Sequence, residues 1–360
     1  MKGYSLCAGG LTLGALFFAG PAHAQSSMTL YGIVDAGLAY VNNQGGKRAV
    51  VESSGILQGS RFGFRGVEDL QGGYKALFVL ENGFNVDNGT FGQGGLEFGR
   101  QAYVGLSTPG GTLTFGRQYD FLVNLFPLTN IVDGGVYAFH LGDYDRLGGE
   151  RLNDAVSFRT PDFNGWQAGA MYSFGGVPGQ PSTNSAFSGG LSYNSDALSL
   201  VAAYTSMNNV TVSPVNGLGV PTILGAPAGT TSLKVDRLNI AGIGASYTVG
   251  PVTAHAVYTR TDFRLAGDSD VLDAYDAGVT WYATPSVSFL LGANFYKLNG
   301  THWEEPVLGA HKYLSKRTDL YGQLAWLRAS GADAHAVLVS NAPSSNNTQL
   351  AVTMGIRHKF

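Results

Sequence analysis

Residues 59–70 read "GSRFGFRGVEDL", and their first half alternates two chemistries: Arg61, Gly63 and Arg65 against Phe62, Phe64 and Gly66. In a β-strand successive side chains point to opposite faces, so one face of this segment carries guanidinium groups and the other benzyl rings. A soluble sheet would bury the rings. A barrel in a bilayer would turn them outward and keep the arginines inside.

The alternation recurs along the chain. In "LAVTMGIRHKF" (350–360), Leu350, Val352, Met354, Ile356, His358 and Phe360 share one face, and Ala351, Thr353, Gly355, Arg357 and Lys359 the other. Tyr275, Ala277, Val279 and Trp281 form an apolar row that continues, after Thr284-Pro285, as Val287, Phe289, Leu291, Ala293 and Phe295. This predicts a hairpin with a tight turn. Leu320, Gly322, Leu324 and Trp326 make another such row, while the segment from Arg237 to Val249 switches face midway, as a bulge would make it do.

Composition separates the two options. Charged residues make up 13% of the chain, against about 25% in an ordinary soluble domain, and aromatics 12%. The exterior therefore needs little charge, yet beyond the N-terminus no segment offers the roughly eighteen unbroken apolar residues of a membrane helix. The N-terminus itself carries Lys2, an apolar run at 6–20 and the small-residue site "AHA" at 22–24, which predicts a cleaved secretory signal over residues 1–24. A membrane anchor is the alternative, but glycines break the run and it is short for a span. Removing the signal takes away Lys2 and Cys7, the one cysteine, so the net charge moves from -3 to -4 and no disulfide is available. That balance provides no basic field for nucleic acid.

The connections alternate in length. "EDLQGG", "STPGG", "PDFNG", "NSDA", "TVGP", "ATP" and "SKRT" are short, whereas the links at 42–56, 87–95, 120–151, 175–186, 207–236, 264–270, 299–310 and 330–347 are mostly longer and rich in Gly, Asn, Ser and Pro. Short turns at one end and long loops at the other fit an outer-membrane barrel of about sixteen strands. The expected fold is all-β: a sixteen-stranded antiparallel transmembrane β-barrel over residues 25–360. Ring closure gives every backbone N–H and C=O a partner in lipid, and a charge on the lipid face costs roughly 2–4 kcal/mol near the midplane. Phe62 and Phe64 are therefore expected outside, Arg61 and Arg65 inside. Sixteen strands enclose a bore too wide for side chains to fill, so an aqueous channel follows.

The link at 120–151 combines apolar residues with Asp120, Asp133, Asp143, Asp145 and Glu150 against one base, Arg146. Such a loop either lies on the surface or folds into the lumen, with apolar residues on the wall and acids toward water. No nucleophile elbow, zinc-binding helix motif or phosphate loop occurs, and no cofactor or metal is expected. "HWEE" at 302–305 reads as surface loop rather than metal site, and Gly242 and Gly244 fall in strands, where glycine permits close approach or curvature.

The chain resembles the trimeric general porins of Gram-negative outer membranes. "TLYGIVDAG" (29–37), "GSRFGFRGVEDLQGGYKA" (59–76), "FGRQAYVGLSTPGGTLTFGRQYD" (98–120), "YLSKRTDLYG" (313–322) and "GIRHKF" (355–360) carry the resemblance, in the family's order. It implies a homotrimer, a third loop folded into each pore, and a C-terminal aromatic, Phe360, read by the barrel-assembly machinery. It also implies a constriction in which wall arginines face loop acids. By motif the wall residues are Arg61, Arg100 and Arg151, with Arg65 sharing the parity of Arg61. The loop candidates are Asp133, Asp143, Asp145 and Glu150. Arg100 conflicts with simple alternation, because Leu96, Phe98, Ala102 and Val104 share its parity; a bulge or a place near a loop must rescue it. The expected function is passive diffusion of small hydrophilic solutes and ions. A substrate-selective channel of the same fold and an exported β-rich binding protein are the alternatives.

Overall fold

The computed structural model describes residues 26–140, 151–213, 218–220, 222–226, 230 and 232–360. The expected signal segment, 1–24, lies outside the described residues, as do Asp143, Asp145 and Glu150.

The strands are β1 Ser27–Gln44, β2 Lys47–Ser54, β3 Arg61–Asp69, β4 Lys75–Gly83, β5 Gln101–Thr108, β6 Gly111–Tyr119, β7 Arg151–Arg159, β8 Trp166–Ser173 and β9 Ala186–Asn194. They continue as β10 Leu198–Val212, β11 Leu233–Val249, β12 Val252–Leu265, β13 Asp268–Thr284, β14 Val287–Leu298, β15 Thr301–Tyr313, β16 Thr318–Ser330 and β17 Thr348–Lys359. From β3 onward each pairs antiparallel with the next, and β1 pairs with β17 from Ile33↔Lys359 to Val41↔Ala351, which closes the ring. On its other edge β1 pairs first with β3 (Ile33↔Arg61) and then with β2 (Ala36↔Ser54). β2 and β3 are thus two halves of one stave, and the barrel is a closed sixteen-stranded one.

Residues 55–60 leave the stave between those halves. Gly55 takes φ +72°, and Asp35 holds the excursion by accepting the Gln58 N–H at 3.1 Å, while its backbone oxygen accepts the Ser60 hydroxyl at 3.0 Å. An aspartate in the first strand is therefore a tether for backbone that departs from the sheet.

The barrel is inverted as the opening segment requires. Met354, Leu291 and Ile243 are 62%, 66% and 59% exposed, while their strand neighbours Thr353, Leu290 and Gly242 are turned inward. Phe64 pairs with Leu30, itself on the outer face, and the Phe62 and Phe64 rings meet edge-on at 6.5 Å. Arg357, Asp319 and His311 face the lumen, the Arg357 guanidinium gripping Asp319 at 3.0 and 3.2 Å. Phe360 exchanges two backbone hydrogen bonds with Gly32, so the last residue is stitched to the first stave.

Three links expected as loops are strand. Residues 42–56 include the β1–β2 hairpin, 264–270 the β12–β13 hairpin, and 299–310 most of β15. In the two hairpins the staves run past the apolar belt and the alternating signal fades although the ladder continues; in β15 it is masked by Glu304, Glu305 and Pro306. "HWEE" accordingly belongs to β15, and Glu305 is a buried wall residue that accepts hydrogen bonds from Asn294 Nδ2 (3.1 Å) and the Tyr296 hydroxyl (2.9 Å). Pro306 is accommodated where β15 skips its partner: pairing with β16 breaks between Glu304↔Arg328 and Val307↔Ala325.

Candidate functional site: a strap across the bore

Between β6 and β7 the described chain crosses the lumen as a 3₁₀ run, Phe121–Leu128, one α-turn, Ile131–Gly134, and a second 3₁₀ turn, Val136–Ala138. Glycines of the wall receive it. Phe121 rests on Gly169 and Gly190; Leu125 and Leu128 rest on Gly244, and Leu125 also covers Gly242. A side chain at any of these glycines would occupy the strap's volume, which is the close approach the sequence pattern suggests.

Polar anchors fix the register of the strap on the wall. Thr205 donates to Asp120 at 2.8 Å and the Phe121 N–H donates to Ser188 at 2.9 Å. Asn130 is buried over Gly278 and Gly292; its amide donates to Ala277 O, Ala293 O and Asn294 Oδ1 (3.2, 3.3 and 2.9 Å), and its backbone N–H to Asp276. Farther on, Val136 N–H donates to Ile56 O in the 55–60 excursion at 2.7 Å.

On the opposite wall Arg61, Arg100 and Arg151 line one cavity of about 500 Å³ with Glu81 and Tyr119. Arg100 Nε donates to Glu81 at 2.7 Å, and Arg61 Nε lies 3.9 Å from the same carboxylate. The Tyr119 hydroxyl accepts from Arg100 at 2.8 Å and from Arg151 at 2.9 Å, holding two like charges side by side. Arg100 escapes the alternation because β5 begins one residue later, at Gln101, and Arg100 belongs to the preceding loop. Arg65 does not reach the cavity; its guanidinium lies 5.6 Å from the Tyr31 ring centroid, farther along the lumen wall.

The two described loop acids behave differently from expectation. Asp133 turns to the far wall, where Thr280 donates to it at 2.8 Å, and it does not line the arginine cavity; Asp120 is likewise a buried anchor. The strap meets the cavity instead with Val123, Phe126, Ile131, Val136 and Phe139. Apolar residues thus occupy both of its faces, and carboxylates that must hold a loop to a wall cannot also face the water. Glu81, Tyr119 and Asn130 were not singled out from sequence. A carboxylate inside the otherwise apolar "ALFVLENG" strand, at lumen parity, is the signal that marks Glu81.

At the strap's end His140 donates or accepts at Thr259 Oγ1 (2.8 Å), lies edge-on to the Tyr296 ring, and is 3.9 Å from Asp276, beyond hydrogen-bond reach. Burial pushes its imidazole down to about 3. A detached strap end would take up a proton near the ordinary 6.5, so docking of this segment is fully favourable above pH 6.5 and weakens as pH falls toward 3. Amide-exchange protection of residues 136–140 is expected to fall over that interval while β14 stays protected; pH-independent protection would contradict it.

A membrane-turned barrel whose wide bore is narrowed by an internal strap against an arginine-bearing wall defines a class: the outer-membrane diffusion channels. Residues 10–332 match the Gram-negative porin family, and the chain belongs to it. It is 31% identical to outer membrane porin protein 32 of Delftia acidovorans over 97% of this chain and 99% of that one. Among solved structures it is similar to an anion-selective porin from Comamonas acidovorans, with TM-score 0.78, 27% identity, and 93% of this chain and 100% of that one covered. The trimer form of OmpT from Vibrio cholerae shares the fold at TM-score 0.68 and 14% identity, covering 93% and 99%. The chain is an outer-membrane porin, a channel for passive diffusion.

Proposed function

We propose that this porin passes small hydrophilic solutes and ions with a preference for anions. The observation that carries the reading is the charge of the constriction: three arginines and one glutamate on the wall, with the described strap acids bound elsewhere. Fixed positive charge in a narrow passage concentrates anions and repels cations. The resemblance to an anion-selective porin supports it. Of the loop acids, Asp133 is assigned to anchoring; Asp143, Asp145 and Glu150 lie outside the described residues, and the charge balance is that of the described wall. We further propose a homotrimer in outer-membrane lipid, a signal over 1–24 removed on export, Phe360 as the signal to the barrel-assembly machinery, and no catalytic step. The test is the reversal potential of the purified protein in a planar bilayer under a potassium chloride gradient. Its sign is expected to favour chloride; a potassium-favouring sign would refute the anion preference.

A further inference from the structure

We propose that the constriction is a binding site for amphiphilic organic anions, solutes carrying one carboxylate on an aromatic or aliphatic body. The proposal rests on the anion reading above and gives that site its solute class.

The cavity has two unlike flanks. One presents Arg61, Arg100 and Arg151; the other presents the strap's second apolar face, with Phe126, Val123 and Val136 foremost. Phe126 and Val123 lie outside the buried cluster that holds the strap, which Phe121, Leu122, Leu125 and Leu128 form from the opposite side, against the wall. Water over an apolar flank is costly and gains no hydrogen bonds from it. A chloride or acetate ion uses only the arginine flank. An ion that brings a ring or an alkyl body uses both, its carboxylate on the guanidinium groups and its body over Phe126.

The arginine flank retains donors for such a head group. Tyr119 takes one N–H from Arg100 and one from Arg151, and Glu81 takes the Arg100 Nε–H. A guanidinium has five N–H groups, so each of these arginines has donors left for a carboxylate. Tyr119 also holds the Arg100 and Arg151 groups in fixed relation, which lowers the ordering that a bound carboxylate must impose.

Benzoate and acetate share a head group and differ in body, so they isolate the apolar flank. In a planar bilayer carrying the purified channel in potassium chloride, benzoate is expected to half-block the current at a concentration about tenfold below that for acetate. In Phe126→Ser the ratio is expected to fall toward one. Val136→Thr keeps the side-chain shape and replaces a methyl by a hydroxyl, and it should lower the ratio too if Phe126→Ser does not insert. Equal block by the two anions in the unaltered protein, with a chloride-favouring reversal potential, would overturn this proposal and leave the anion preference standing. A potassium-favouring reversal potential would overturn that preference instead. A tenfold ratio unchanged in both variants would also overturn the proposal, because the discrimination would then arise elsewhere in the bore.

Discussion

Replacing Arg61, Arg100 and Arg151 together by glutamine is expected to convert a chloride-favouring channel into a potassium-favouring one. The three guanidinium groups share the cavity with one carboxylate, Glu81, so the substitution takes the wall's fixed charge from +2 to -1. A unit charge at 4 Å is worth about 1 kcal/mol in bulk water and about 4 kcal/mol at an effective dielectric of 20, and an ion in a narrowed bore sits between these limits. Chloride loses what potassium gains, so the permeability ratio should move by at least about tenfold. The shift should grow as salt is lowered, since the Debye length is about 10 Å at 0.1 M. Single substitutions should rank unequally. Arg100→Gln removes a cation and also frees Glu81, which it binds at 2.7 Å, whereas Arg61 lies 3.9 Å from that carboxylate and its loss leaves the Arg100–Glu81 pair intact. Glutamine still offers an amide to Tyr119, so the wall should keep its shape. Reversal potentials across a salt gradient read the outcome, and an unchanged sign in the triple variant would remove these arginines from the path of the ions.

The parts of this architecture that were legible in the sequence are those where a single solvent condition acts on each face. The row Val352, Met354, Ile356 meets lipid and the row Ala351, Thr353, Arg357 meets the lumen, so alternation names both. Arg61 was legible for the same reason. Legibility ends where that condition changes. Past the apolar belt, Asn42 to Lys47 and Arg264 to Asp268 meet water on both faces, and the hairpins continue there without any periodic signal. The strap fails differently: its residues are chosen by a wall brought near by the fold, not by their neighbours in sequence. Asp133 looks like an acid facing water until Thr280, 147 residues away, is seen donating to it. The record of that contact lies in the wall, in the inward glycines at 169, 190, 242, 244, 278, 292 and 309, whose common purpose emerges only when the strands are laid side by side.

Those glycines make the second large effect predictable. Gly309→Val combined with Gly292→Val is expected to cut the single-channel conductance severalfold while leaving the barrel assembled. At Gly309 a new Cβ would come within 2.5 Å of the Asp133 carbonyl oxygen, a backbone atom that cannot rotate away, and at Gly292 it would meet the buried Asn130 amide. The wall itself tolerates the change, since valine is a good strand residue and only the lumen face is altered. The strap must then give way, and the arginine flank lies across the cavity from it. Overpacking of this kind costs about 1–3 kcal/mol, small for a closed barrel and large for a short strap held by a few anchors. Bulk added behind the strap therefore drives Phe126 and Val136 toward Arg61 and Arg151, and the passage narrows. Loss of a single anchor differs from this: with Asn130 removed nothing pushes the strap forward, so narrowing in the valine double variant would reflect displacement and not loosening. Heat resistance of the assembled protein on gels, expected to be retained, separates a blocked channel from a misfolded one. Wild-type conductance in a properly assembled double variant would mean that the strap does not set the width of the bore.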